Sequence, residues 1–340
     1  MRVLLTNDDG PPGPDSPFIF GFYRHLVGDL GWDVKVVIPS TQKSWIGGAF
    51  HINETIKGEY YYPRDPDGSG ERSKTSRPLK DGETSEWVLL DGTPATCTNV
   101  ALYNLYPGLI DLVISGPNFG RNSSAAFALS SGTVGAAISS SLCRMRSIAI
   151  SYGIVERPPP TTYFALAHNL SGKIISHLWH NWGKDEGGSR NSEVDLYNVN
   201  IPLVKGLLSD EGLKVVWTSI WRNSYARLFK KSSPSGVSAE PGGPDAHLGK
   251  TIIDSSHGST DNSRNIEGNL IFKFSPEMTG LINPPHSSLP VGSDAWAFAK
   301  GWASVTPLRA SFAEPPHHEE MLDGIPNPNT KELELVRLKL

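Results

Sequence analysis

A doubly wound α/β fold, with a mostly parallel Rossmann-like sheet and helices on both faces, is predicted for this 340-residue chain by three observations. Short apolar runs alternate with helix-spaced segments through residues 1–150, the pattern of successive β-α-β units. The runs are continuous enough to belong to strands covered on both sides. Several end in clusters of Gly, Asn, Asp, Ser and Thr, at the carboxyl ends where such sheets bind their ligands. A smaller, irregular, β-rich C-terminal part with a tail is expected to follow.

The first run, residues 3–6, stops at Asn7-Asp8-Asp9-Gly10. Residues 18–30 place Phe18, Phe22, His25 and Leu26 at helical spacing, Gly31 stops the helix, and a second strand at 34–38 is closed by Pro39. The pattern resumes with a strand at 87–90, a helix at 96–106 and a strand at 109–115 that runs into Gly116-Pro117-Asn118-Phe119-Gly120. A helix follows Ser131-Gly132-Thr133, and a strand covers 147–151. Beyond it the spacing predicts a helix at 163–178 and strands at 196–201, 214–219, 270–274 and 301–306.

Segments 64–86 and 230–265 are rich in Pro, Gly, Ser and charge, and read as exposed loops inserted into the fold. Residues 315–340 form a polar tail with a helical-looking end at 330–340. The expected organisation is an α/β core over 1–225, with the 64–86 insertion, and a C-terminal segment over 226–340 that carries the 230–265 insertion. Strand 301–306 is expected to return to the core.

Composition excludes several functions. Lys and Arg number 31 against 35 Asp and Glu, a formal net charge of -4, with no run of one sign to lie along a nucleic-acid polymer. No stretch approaches the ~20 apolar residues that span a bilayer, so no membrane is expected as a partner. Cys97 and Cys143 match no zinc spacing and make no disulfide framework. The first residues are too polar for a signal-peptide core. These readings together predict a cytoplasmic protein.

Asp8 and Asp9 put two carboxylates and the Asn7 amide at a strand end, hard oxygen ligands of the kind that hold Mg²⁺, Mn²⁺ or Ca²⁺; the competing reading is an Asx turn. Asn118, after a later strand, adds a neutral carbonyl ligand or is again a turn residue. Ser131, Gly132 and Thr133 open a helix and suit an oxyanion, or form a plain N-cap. Gly92-Thr93-Pro94 invites the same two readings. Ser40, Thr41 and Ser44 follow the second strand, and spacing does not choose among them. Ser44 as a serine-hydrolase nucleophile lacks the Gly-x-Ser-x-Gly elbow, and a dinucleotide site lacks Gly-x-Gly-x-x-Gly. Trp45 and Tyr60-Tyr61-Tyr62 are candidates for stacking on a base, or for core and interface.

In these residues the chain resembles the SurE (survival protein E) family of metal-dependent phosphatases and nucleotidases, in an elaborated form like that of fungal or plant members. The resemblance is carried by residues 3–10, Asp91-Gly92-Thr93-Pro94-Ala95, residues 111–120, Ser131-Gly132-Thr133-Val134 and residues 147–151. It continues through Asn198-Val199-Asn200-Ile201-Pro202, Ser293-Asp294 and residues 304–308, in order along most of the chain. It implies one divalent cation, Mg²⁺ or Mn²⁺, held by Asp8, Asp9, Ser44 and Asn118. It implies phosphate binding by Asn7, Ser131, Gly132 and Thr133, with Asp8, Asp9 and Asn118 catalytic. The implied activity is hydrolysis of nucleoside 5′- and 3′-monophosphates and other phosphomonoesters, as in acid phosphatases. The implied assembly is a homodimer or homotetramer with a protruding hairpin. A catalytically weak nucleotide-binding module is the alternative function.

Overall fold

The computed structural model describes residues 1–231, 270–276 and 284–313. Its backbone contacts gather Met1–Ala310 into one compact unit. Strand β1 (Arg2–Thr6) lies near the middle of a ten-stranded sheet. To one side lie β2 (Asp33–Pro39), β5 (Trp87–Leu90), β3 (Gly58–Pro63) and β4 (Gly70–Ser73); to the other lie β6 (Leu112–Phe119), β7 (Arg146–Ile154), β8 (Leu196–Leu203), β12 (Ala303–Leu308) and β9 (Val215–Trp217). The run β5-β2-β1-β6-β7-β8 is parallel throughout. β12 enters antiparallel to β8, while β3 and β4 continue the far edge antiparallel. A separate antiparallel pair joins β10 (Phe229–Lys231) to β11 (Phe272–Phe274).

Alternation along the strands sorts side chains onto two cores. Val3, Leu5, Val36, Ile38, Ile114 and Ile148 meet α1 (Ile19–Arg24) and α5 (Phe164–His180) on one face. Leu4, Val37 and Val113 meet α2 (Pro94–Val100) on the other, and Ala149 and Leu196 meet α4 (Gly132–Leu142). On this second face the strands change character towards their carboxyl ends, two residues at a time. Leu4 gives way to Thr6, Val113 to Ser115, Ala149 to Ser151, and Leu196 to Asn198 and Asn200, all buried. The chain leaves β1 for β2 on one side and later returns to β6 on the other. This makes the carboxyl ends of β1 and β6 the switch point of the sheet, where ligands bind in doubly wound folds.

Three expectations are corrected. Segment 64–86 is not an open loop, because Gly70–Ser73 pairs with Gly58–Pro63 and the rest folds over a charged knot. Glu83, its side chain fully buried, accepts from Arg77, Arg64 and the Lys80 N–H. Low apolar content misled the reading, since this segment is fixed by charge. Asn118 lies inside β6, not in a loop beyond it; the pairing with β7 shifts between Ser115 and Asn118, and the strand resumes. A short helix, α3 (Ala125–Ser130), precedes α4 and was not expected. Tyr61 and Tyr62 are core residues, their hydroxyls donating to Gly68 O and Glu86 Oε2. Most of 230–265 and all of 315–340 lie outside the described residues.

Candidate active site

Asp8 and Asp9 follow directly from β1, where the backbone turns so that both carboxylates are buried at one strand end. Asn7 makes this turn: its Nδ2 donates to Gly10 O and Ser16 Oγ, and its Oδ1 accepts from Gly10 N–H. Gly10 has φ 83°, a conformation open to glycine, and a Cβ there would lie 3.2 Å from the Thr41 carbonyl carbon. Asn7 therefore shapes the turn and is not among the pocket walls. The Asx turn and the carboxylate site, set out above as rivals, coexist.

Each carboxylate is anchored by an element distant in sequence. Thr133 Oγ1, in the first turn of α4, donates to Asp8 Oδ1 at 2.5 Å. The Phe119 N–H, at the end of β6, donates to Asp9 Oδ2 at 2.7 Å. Gly132 comes so close that a Cβ on it would lie 2.7 Å from Asp8 Cβ. Burial pushes the Asp8 carboxyl up to about 6, against the pull of Thr133 and of the N–H groups at the start of α4. Burial and then the neighbouring Asp8 charge push Asp9 well above the usual carboxylate range. Two adjacent buried acids, with no Lys or Arg ion-paired to them among the described residues, are short of positive charge.

A narrow pocket opens over Asp8, walled by Trp45, Asn118, Asn122, Phe127, Ser130 and Ser131. Asn118 Nδ2 donates to Gly120 O, which leaves its carbonyl oxygen as the atom suited to a cation. Ser131 caps α4, its Oγ accepting from the Val134 N–H. Ser44 stands between Lys43, whose N–H donates to Asp8 O, and the pocket residue Trp45. Of the predicted residues, Asp8, Asp9, Asn118, Ser131, Gly132 and Thr133 come together, and Ser44 is adjacent. Thr93 instead serves as a plain N-cap for α2, bonded to Thr96 N and Ala49 O.

Trp45, Asn122 and Phe127 complete the wall and were not assigned from sequence. Trp45 packs on Phe127, Tyr225 and Phe274, which gathers the pocket's apolar side. Asn122 sits two residues beyond Gly120, close enough in sequence to Asn118 to have been a candidate. A larger apolar groove lies elsewhere, lined by Leu170, Ile174, Val215, Trp217 and Val305. It has no acid pair. Among the described residues no three His, Cys, Asp or Glu converge as metal ligands, and no helix is long and apolar enough to cross a membrane.

A parallel sheet with a buried acid pair at its switch point and a helix N-terminus beside it places the chain among Rossmann-like α/β proteins with an acidic crevice. The family model "Survival protein SurE" matches residues 3–227, and the chain belongs to the SurE family. The protein named 5′-nucleotidase SurE of Rhodopirellula baltica is 30% identical over 72% of this chain and 79% of its own length. Its namesake in Desulforudis audaxviator is 34% identical over 74% and 86%. The probable tubulin-tyrosine ligase PBY1 of Saccharomyces cerevisiae is 33% identical over 92% of this chain, but the match spans only 41% of that protein. The crystal structure of the SurE protein from Aquifex aeolicus shares the fold, with a TM-score of 0.56 at 22% identity, covering 92% of this chain and 95% of that one.

Proposed function

We propose that the chain is a divalent-metal-dependent phosphomonoester hydrolase that acts on nucleoside 5′- and 3′-monophosphates. The observation that carries this reading is the buried Asp8–Asp9 pair, charge-deficient and placed beside the N-terminus of α4. The hard oxygen set of Asp8, Asp9, Asn118 and Ser44 fits Mg²⁺ or Mn²⁺. Such an ion supplies charge neutralisation and Lewis acidity towards a phosphoryl oxygen when bound.

The remaining work falls to the chain itself. The Ser131 hydroxyl, on the pocket wall, and the positive end of the α4 dipole favour a phosphate over the crevice. Asp9, held by the Phe119 N–H, is suited to orient a water and take its proton. Water adds to phosphorus, the ester P–O bond breaks, and the leaving alkoxide takes up a proton, giving phosphate and an alcohol. The Ser131 hydroxyl and the positive end of the α4 dipole stabilise the oxygens on which charge builds.

The names of relatives point the same way. The 5′-nucleotidase names belong to proteins that the chain matches over 79% and 86% of their length. The ligase name belongs to one matched over 41%. A homodimer or homotetramer and a cytoplasmic location are part of the same proposal. The test is phosphate release from nucleoside monophosphates and p-nitrophenyl phosphate with Mg²⁺ or Mn²⁺, repeated with EDTA. Release that EDTA abolishes supports the hydrolase; nucleotide binding without release under any metal replaces it with the binding module.

A further inference from the structure

Two sequence motifs, Asn198-Val199-Asn200 and Ser293-Asp294, take no part in the site as described, yet both are buried against one turn of its wall. That turn, residues 120–124, joins β6 to α3 and carries Asn122 into the pocket. Asn122 is gripped at three of its polar groups. Its N–H donates to Asn200 Oδ1 at 2.7 Å, its carbonyl accepts from Asn198 Nδ2 at 2.9 Å, and its own Nδ2 donates to Ser151 Oγ at 2.8 Å.

Two residues further on, Ser124 has φ 86°, a backbone region that favours glycine, and its hydroxyl is buried without a partner. Its N–H donates to Asp294 Oδ2 at 2.7 Å. Asp294 Oδ1 accepts from Trp221 N–H at 2.9 Å and from Ala295 N–H at 2.7 Å. Asp294 has no exposed surface and no cationic partner among the described residues. Burying an unpaired carboxylate is costly. The six-residue helix α6 (Asp294–Ala299) that it begins already has a cap, since Ser293 Oγ accepts from Trp296 N–H. The acid is therefore surplus to its own helix, and its function lies with the segments it ties together.

We propose that Asp294 is a positioning residue for the active site: by holding Ser124 in its positive-φ conformation it fixes the 120–124 turn and thereby the place of Asn122 in the pocket wall. The kinetic consequence rests on the phosphomonoesterase reading. The conformational consequence does not.

Asp294→Asn separates the two roles of the acid. With its oxygen towards Trp221 and Ala295, asparagine keeps two of the three bonds and loses the acceptor for Ser124. Misplacement by about 1 Å costs an active site on the order of 100-fold, so kcat/KM is expected to fall about 10-fold or more for every phosphomonoester tested. Amide exchange at residues 122–125 is expected to accelerate, while the strands β1 and β6 stay protected. Adding Asn122→Ala to Asp294→Asn should cost less than Asn122→Ala alone, because both act through one wall. Ser124→Gly is carried as a second background; glycine accepts φ 86° readily, which keeps a folded Asp294→Asn protein within reach and should restore part of the loss.

Unchanged exchange at 122–125 in Asp294→Asn, or losses that simply multiply in the double variant, would overturn the proposal. If the wild-type chain releases phosphate from no ester, the hydrolase reading falls by itself, and the exchange comparison still decides the role of Asp294.

Discussion

Thr133 and Asp8, 125 residues apart in sequence, share a hydrogen bond that joins the first turn of α4 to the end of β1. The hydroxyl that reads from sequence as a phosphate ligand is given to the carboxylate, so its contribution to any bound phosphate is indirect. It fixes one rotamer of Asp8, and the Gly132 and Thr133 N–H groups bond the same carboxylate.

Thr133→Val tests that assignment. It keeps the shape and removes the donor, and a hydrogen bond to a charged group contributes about 2 kcal/mol. Turnover is expected to fall by roughly 30-fold on that basis, with little change in the far-ultraviolet dichroism, since Ser131 still caps the helix. Steady-state kinetics on purified Thr133→Val decide it; wild-type rates would show that the Thr133–Asp8 bond has no bearing on turnover.

Gly132→Ala should be worse than its helix propensity suggests. Alanine is favoured over glycine in helices by about 1 kcal/mol, but here the new methyl would lie 2.7 Å from Asp8 Cβ and 3.0 Å from its Oδ2. The expected result is more than 10-fold loss of activity and a lower melting temperature. Both are read from one preparation by a rate assay and a thermal scan.

The acid pair sets a pH dependence of stability. The folded chain holds a proton on Asp8 up to about pH 6, against an ordinary value of 3.8. Metal-free stability is therefore fullest below pH 4 as far as this group is concerned and is lost as pH rises through 6, by about 3 kcal/mol. Thermal unfolding in EDTA between pH 4 and 7.5 should show that contribution declining. Mg²⁺ or Mn²⁺ at pH 7.5 should raise the midpoint, and should do less at pH 5, where protons compete.

Asp9→Asn follows from the same repulsion with opposite effects on stability and function. Removing one of two buried like charges should raise the metal-free melting temperature at pH 7.5. Phosphate release should drop by about 1000-fold or more, the loss expected for a residue that touches the reacting atoms. A variant that is both less stable and fully active would remove Asp9 from the site.

Glu83→Gln examines the knot in segment 64–86. Arg77 and Lys80 N–H hold the Glu83 carboxyl down to about 2. Its stabilisation is therefore present above pH 4.5 and lost only as pH falls through 2. The neutral variant should make this segment the first site of limited proteolysis at pH 7, without altering kcat. Unchanged cleavage would mean that β4 is fixed by its backbone pairing alone.

The site was legible in sequence wherever a short apolar strand ends in an unusual polar cluster. Asp8, Asp9, Asn118 and residues 131–133 come together for that reason. The wall residues were hidden for different reasons. Asn122 carries no local pattern of its own, and its setting depends on Asn198, Asn200 and Ser151, three residues from two other strands. Trp45 gives an aromatic signal that core and pocket share. The strand at 70–73 was missed because Gly-Glu-Arg-Ser has no apolar period; its order comes from Glu83 and two arginines, which composition alone reads as solvated.

β12 lies between β8 and β9, antiparallel to one and parallel to the other. The sheet therefore cannot be assembled in the order in which its strands are synthesised. β9 has to wait for a neighbour that emerges some ninety residues after it, and β8 presents a bare edge until then. Long-range pairing of this kind is slow to form and exposes a strand that other chains can capture. Because Asp294 arrives on the same late stretch, the wall of the pocket over Asp8 and the closure of the sheet are completed together. A nascent chain acquires its acid pair early and its fixed pocket wall last.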